Sequence, residues 1–397
     1  MDMVFVYEDK IAQDAEGHYY TGSALPQAVF DRYLQHFDHI TVLMRKAVID
    51  PCDSKALSRM NRLDTDRIDV VFLPDLNASL RAHFDPRVRA EFKKTILDLL
   101  QTDRAVIVRV PSVSGTIAAE YCHKNGIPYL AEAVGCPWDS LWNHSLKGKV
   151  MAPIWRENMR RVMRNADYAV YVTSEFLQRR YPTNGKSAAI SDVELQPMDD
   201  TILERRLEKI QNHSGKFKIG TAGAINIAYK GQRYMIEALA KLKENGNLDY
   251  EYHLAGSGDT SELRALAEKR GVSEQVIFDG VLRHDQMFSW FDDLDLYIQP
   301  SIVEAMPRAL IEAMSRGLPA IGSVVGGIPE LLGESCVFPK KDVENITELL
   351  EGLTSEAMLS MAERNYEHGK QFEKDLLNQK RYDFYSSFAS EVKEKLN

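Results

Sequence analysis

The sequence predicts an α/β protein made of two doubly wound units, each a parallel sheet flanked by helices. Three observations carry this. Short β-branched runs alternate with longer segments of helical periodicity, the mark of βαβ units. At 397 residues the chain can bury two cores of ordinary size. A polar stretch from Gln196 to Ser214 holds Pro197, is followed by Gly215, contains no strand pattern, and divides the two series. The expected units are an N-terminal domain over 1–205, a C-terminal domain over 206–375 and a terminal helix over 376–397.

In the first series the strand candidates are Val4–Tyr7, Ile40–Met44, Asp69–Leu73, Ala105–Val110, Ile127–Ala133 and Tyr168–Val172. Helical patterns at Pro26–His36, Arg87–Leu100 and Ile154–Asn165 lie between them. Residues from Glu8 to Leu25 read as a polar loop. Loops at the carboxyl ends of strands line the crevice of a doubly wound sheet, so Gly22 is a candidate for letting a backbone N–H approach an anion. An ordinary turn glycine is the alternative. The Ile154–Asn165 pattern carries Arg156, Arg160, Arg161 and Arg164, which suit a solvated face or an acidic-lipid or phosphate-bearing partner.

In the second series the strands are expected at Lys216–Thr221, Tyr250–Leu254, Val276–Phe278, Leu294–Ile298 and Leu318–Val325. The tail places Tyr382, Tyr385, Phe388, Ala389, Val392 and Leu396 along one side of a helix, a stripe that suits core packing better than a membrane anchor.

Composition narrows the function classes. The chain is 44% hydrophobic and 27% charged, as in a soluble globular protein. A net charge of -9 and a pI near 5.7 argue against a general nucleic-acid binder. No pair among Cys52, Cys122, Cys136 and Cys336 has C-x-x-C spacing, so neither a zinc site nor a redox pair is indicated. There is no leader pattern and no run long enough to span a bilayer. The expectation is a cytoplasmic protein with reduced thiols and at most weak peripheral contact with the inner face of a membrane.

The chemistry concentrates between Gln299 and Leu331, QPSIVEAMPRALIEAMSRGLPAIGSVVGGIPEL. Pro307 suits a first helical position, where its missing N–H costs nothing. Ala309, Leu310, Ala313 and Met314 form an apolar face, Gly317 fits a left-handed cap and Pro319 stops the helix. Glu304 and Glu312 stand eight positions apart. If the span were helical they would differ by roughly 80° and lie roughly 12 Å apart. The helix start between them offers free N–H groups and the positive dipole end to a pyrophosphate. The plain alternative is a capping box at Ser301-x-x-Glu304 with Glu312 merely solvated.

The whole string, E-x7-E with Pro at the fourth position followed by EAM and a GGIPE turn, resembles the donor site of GT4-type retaining glycosyltransferases, the glycosyl transferases group 1. That resemblance implies the GT-B fold, two Rossmann-like domains facing a cleft. It implies transfer of a sugar from a nucleotide diphosphate sugar (UDP first, GDP next) to a hydroxyl acceptor in polysaccharide or glycolipid assembly. Retention at the anomeric carbon and independence of any metal or cofactor are implied with it.

By the same resemblance Glu304 would grip the donor sugar's hydroxyls and Glu312 the ribose, the backbone of Ala305 and Met306 would help seat the sugar, and Pro307 would belong to the donor-binding residues. Gly223 and Lys230, in the turn GAINIAYKG, would hold the pyrophosphate. Gly256 belongs to a turn near the nucleotide, and His284 stands where relatives contact the base. Two departures matter. Ala224 occupies the place of a phosphate-binding arginine, and Glu132 stands near the place of an acceptor-side histidine. Arg308, in the first turn after Pro307, would partly replace the missing arginine. A catalytically inactive GT-B partner that only binds nucleotide or glycan is the other reading that Ala224 admits.

Overall fold

The structure, a computed structural model, describes residues 1–22, 25–76, 85–101, 104–193 and 195–396, leaving aside the His284 and Leu396 side chains. The first sheet has nine strands: β1 (Met3–Gln13), β2 (Tyr19–Thr21), β3 (Ile40–Lys46), β4 (Asn61–Arg62), β5 (Ile68–Leu73), β6 (Ala105–Val110), β7 (Tyr129–Ala133), β8 (Tyr168–Tyr171) and β9 (Lys186–Ala189). Parallel pairing gives the order β5-β3-β1-β6-β7-β8-β9, with β2 and β4 added antiparallel beside the end of β1. β6, AVIVRV, is buried at every position, as a strand covered on both faces must be.

The second sheet has six parallel strands: β10 (Phe217–Ala222), β11 (Tyr250–Ala255), β12 (Val276–Gly280), β13 (Leu296–Gln299), β14 (Ala320–Ser323) and β15 (Val337–Phe338). Their order is β12-β11-β10-β13-β14-β15. The direction of winding therefore reverses between β10 and β13, and in the first sheet between β1 and β6. Such switch points open the crevice in which doubly wound sheets bind ligands.

Three segments differ from expectation. Glu8–Gln13 is a continuation of β1 rather than loop, because Ile11 and Ala12 are buried and Ile11 pairs with Thr21 of β2. The connecting turn is closed by Asp14, which accepts from the His18 amide at 2.8 Å and the Tyr20 hydroxyl at 3.0 Å. Partial desolvation opposes the Asp14 charge, but these hydrogen bonds win and hold its pKa at about 2.

The stretch read as a linker contains the helix Asp200–Gln211, capped by Asp199. One of its buried positions is Arg206, which thins the apolar pattern that would have announced a helix. The third difference is the helix Leu146–Asn165, which starts two turns earlier than the periodicity indicated. Ser145 caps it through the Gly148 amide at 3.1 Å, and Pro153 is accommodated inside it.

The last helix, Lys374–Leu396, lies against the first sheet's layer. Its Tyr385 ring sits 5.6 Å from Tyr33, and Phe388 sits 5.3 Å from Tyr168 and 6.5 Å from Phe37. Tyr382 is half exposed instead of core, beside His36 at 4.7 Å.

Candidate active site

The loops after β10 and β13 meet at the second sheet's switch point. After β10 the chain makes one 3-10 turn, Ala228–Lys230, then enters the helix Gln232–Glu244. After β13 it runs without helix until Arg308–Ser315. Lys230 Nζ lies 2.8 Å from Glu304 Oε2, both side chains being mostly buried. The same carboxylate oxygen accepts from Ser301 Oγ at 3.3 Å, and Ser301 Oγ accepts from Gln299 Nε2 at 2.8 Å. Gln299 Oε1 in turn accepts from the Tyr297 hydroxyl at 3.0 Å. Glu304 is thus oriented by a polar chain rising out of β13. No helix starts at Ser301, so the capping-box alternative does not describe Glu304; its partner is the lysine.

Two glycines permit the loops to close this tightly. Gly231 has φ +78, and a Cβ there would lie 1.9 Å from the Pro300 carbonyl oxygen. Gly326 has φ +60, and a Cβ would lie 2.0 Å from the Glu304 carbonyl oxygen. The GGIPE turn therefore sits directly on the Glu304 backbone, fixed by the Gly327 amide donating to Ala305 at 2.7 Å.

A cavity of about 410 Å³ opens between the two sheets; it is lined by Met306, two residues on from Glu304, and not by Lys230 or Glu304 themselves. Met306, Arg308 and Glu312 line it from the second unit, and Tyr7, Arg32, Arg109 and Asp192 are among those lining it from the first. Tyr7 and Arg109 belong to β1 and β6, so they mark the first sheet's switch point. Arg308 occupies the first turn of its helix, where the dipole opposes a cation, and its guanidinium pairs with no described residue. Arg316, at the other end of the same helix, is satisfied by Asp292 at 2.7 and 2.8 Å.

The remaining candidates fall in different places. Glu132, expected at the acceptor side, is buried behind the cavity, and this corrects the assignment. Its Oε1 accepts from the Tyr33 and Tyr385 hydroxyls at 2.7 Å each, and its Oε2 takes Arg109 Nε at 2.8 Å. Both oxygens are thus committed inside the protein. Burial, and then the Glu132 charge, push both tyrosines well above the ordinary phenol range. For Arg109 burial works against the charge, but Glu132 and Asp192 outweigh it and its pKa is raised. Glu132 is the counter-ion that holds Arg109 at the cavity wall.

The Gly223 and Gly256 amides are also committed, donating to Ala255 at 2.9 Å and Gly280 at 2.7 Å. A Cβ at Gly223 would stand in ordinary contact with the Lys230 side chain, whose nearest carbon would be 3.7 Å away. The Gly22 carbonyl accepts from Asn61 Nδ2 at 3.0 Å, and the cavity is lined instead by the helix that follows, through Val29 and Arg32. The Ala224 carbonyl accepts from Gln232 Nε2 at 3.1 Å. His284 opens the helix His284–Asp293, and its side chain lies outside the described residues.

Sequence reasoning missed Tyr7, Arg109, Asp192 and Glu330. A lone arginine in the apolar run of β6 was the available signal for Arg109. Glu330 closes the GGIPE turn and accepts the amides of Ser174 at 2.7 Å, Glu175 at 3.0 Å and Phe176. It thereby caps the first unit's helix Phe176–Arg180 from across the cleft.

Comparison with known proteins bears on the family and the fold. Residues 216–356 match the family model described as glycosyl transferases group 1. Protein CapJ of Staphylococcus aureus is 30% identical over 353 residues, which cover 88% of this chain and 85% of CapJ. Sucrose-phosphate synthase from Thermosynechococcus elongatus superposes with a TM-score of 0.66 at 14% identity, covering 98% of this chain and 100% of that one. Anabaena HepE in complex with UDP gives 0.62 at 15% identity, with the same coverage. WaaG, a glycosyltransferase involved in lipopolysaccharide biosynthesis, gives 0.59 at 17%, covering 96% and 99%. The chain belongs to the glycosyl transferases group 1 family and is a glycosyltransferase of the two-domain GT-B fold.

Proposed function

We propose that the protein transfers a sugar from a nucleotide diphosphate sugar, UDP foremost and GDP next, to a hydroxyl acceptor in polysaccharide or glycolipid assembly. The observation that carries this is the Lys230–Glu304 pair at the switch point, near a helix start whose Arg308 pairs with no side chain among the described residues. On donor binding the diphosphate takes Lys230 from Glu304, and the freed carboxylate accepts hydrogen bonds from the sugar's hydroxyls. Glu312, one turn along the helix from Arg308 and on the same face, receives the ribose. HepE, which has the same fold, has been solved with UDP, and WaaG is involved in lipopolysaccharide biosynthesis; these support the donor and acceptor classes.

Transfer proceeds with retention. The anomeric C–O bond to the diphosphate breaks as the acceptor oxygen bonds to the same face of that carbon, and the leaving phosphate oxygen takes the acceptor's proton. Lys230, Arg308 and the helix dipole carry the leaving group's charge, a preorganised arrangement that supports transfer without a metal. Ala224 favours a second reading, an inactive nucleotide-binding partner.

A single experiment separates the two: UDP- and GDP-sugars incubated in chelator with a panel of glycan and glycolipid acceptors, followed by release of the diphosphate and NMR of the product's anomeric centre. Release with a retained configuration supports transfer. Tight nucleotide binding without release across the panel supports the inactive partner. An inverted product contradicts the mechanism.

A further inference from the structure

Among the described residues twelve large hydrophobic side chains are exposed, and five of them lie between Trp142 and Ile154. This concentration needs a cause, since scattered exposed apolar residues are ordinary and a contiguous patch is not. The helix Leu146–Asn165 buries Gly148, Ala152, Met159, Val162 and Met163 on its inner side. Leu146, Val150 and Ile154 follow one another at four-residue spacing on the opposite side, 81%, 73% and 53% exposed. The first half of the helix is therefore apolar on its outer face as well as its inner one. Trp142 joins the stripe from the preceding helix Pro137–Trp142, its ring stacked on Trp138 at 4.8 Å.

The charges around the stripe select its occupant. The helix carries six basic residues, Lys147, Lys149, Arg156, Arg160, Arg161 and Arg164, against the single acid Glu157, in a chain whose net charge is -9. Arg160 is used by the Arg180 carbonyl and Arg161 by Glu120, while Arg156 covers the Trp138 ring. Lys147 and Lys149 are exposed beside the apolar row, Lys149 standing 5.8 Å from the centre of the Trp142 ring, and Arg164 is exposed at the far end of the helix. Apolar side chains standing on a convex helix, flanked by lysines and an interfacial tryptophan, match the boundary between the acyl chains and the headgroups of a bilayer. Anionic headgroups would supply the counter-charge. A second copy meeting this face would instead set its own lysines against these.

We propose that the Trp142–Ile154 face docks the protein on a membrane surface bearing anionic lipid. The helix rises from the carboxyl edge of β7, the edge where Val134 lines the cavity. The face shares no residue with the cavity, so the proposal stands whatever the donor proves to be.

Co-sedimentation of the full chain with vesicles of phosphatidylglycerol in phosphatidylcholine, and of phosphatidylcholine alone, tests it. Two variants accompany the wild type: Leu146→Gln with Val150→Gln and Ile154→Gln, and Lys147→Glu with Lys149→Glu. Wild type is expected to partition onto the anionic vesicles and to come off as salt is raised. Each variant should bind at least tenfold more weakly while keeping the wild-type melting temperature and nucleotide affinity. No sedimentation of wild type, or sedimentation equal in both lipids and unchanged in both variants, overturns the proposal. Wild-type self-association that the triple variant abolishes, with no lipid response, also overturns it and assigns the face to a second copy.

Discussion

Glu132 has almost no access to water, yet it sets the geometry of a residue that does reach the cleft. Removing a buried charge's partner leaves the other charge uncompensated, at a cost of about 3–5 kcal/mol. Glu132→Gln should therefore lower the melting temperature sharply, whereas Tyr33→Phe or Tyr385→Phe, each removing one hydrogen bond to the buried carboxylate, should cost about 1.5–3 kcal/mol. Differential scanning calorimetry on the three variants reads this directly; a melt of Glu132→Gln as high as wild type would contradict the internal counter-ion role. At the cleft, Arg308→Ala should weaken binding of a nucleoside diphosphate about tenfold and leave nucleoside binding unchanged. At this scale legibility followed distance along the chain. Glu304, Pro307, Arg308 and Glu312 could be grouped as candidates because they stand in one short string. Glu132 was misplaced because its partners come from residues 33, 109 and 385, which no local pattern brings together.

Elements carry their own signature in Arg206. Its guanidinium donates to the Leu294 carbonyl at 2.6 Å, to Phe291 at 2.8 Å and to Arg316 at 3.3 Å, tying the Asp200–Gln211 helix to the ends of two others. Burial lowers its pKa to about 10. Arg206→Met should cost about 1–3 kcal/mol for each carbonyl left buried without a donor, visible as an earlier urea transition. A polar anchor of this kind hid the helix from periodicity, just as Gly148 and Pro153 hid the first half of Leu146–Asn165. β11 adds a pH dependence. His253 stands between Asp279 at 3.2 Å and Glu251 at 3.5 Å. Burial disfavours its charge, but the two carboxylates prevail and raise its pKa above the ordinary 6.5. A raised histidine stabilises most below 6.5, and that contribution is lost as pH rises through the folded pKa. The urea midpoint should fall accordingly, and Asp279→Asn should flatten the change; NMR titration of the imidazole locates it.

For the whole molecule the two sheets were legible because alternation and length are properties of the full chain. Their relation across the cleft was not, because it rests on side chains such as Glu330 reaching a distant helix. Glu330→Ala should loosen the two units, giving a larger radius of gyration in small-angle scattering with little change in secondary structure. At the switch point Lys230 is expected to exchange Glu304 for a donor diphosphate. Calorimetric titration of UDP and GDP, without metal, into wild type and Lys230→Ala tests it most directly. One nucleotide should bind wild type tightly, and the variant should lose about 10- to 100-fold in affinity, the worth of one charge-assisted contact. Equal affinity in the two proteins would contradict the account.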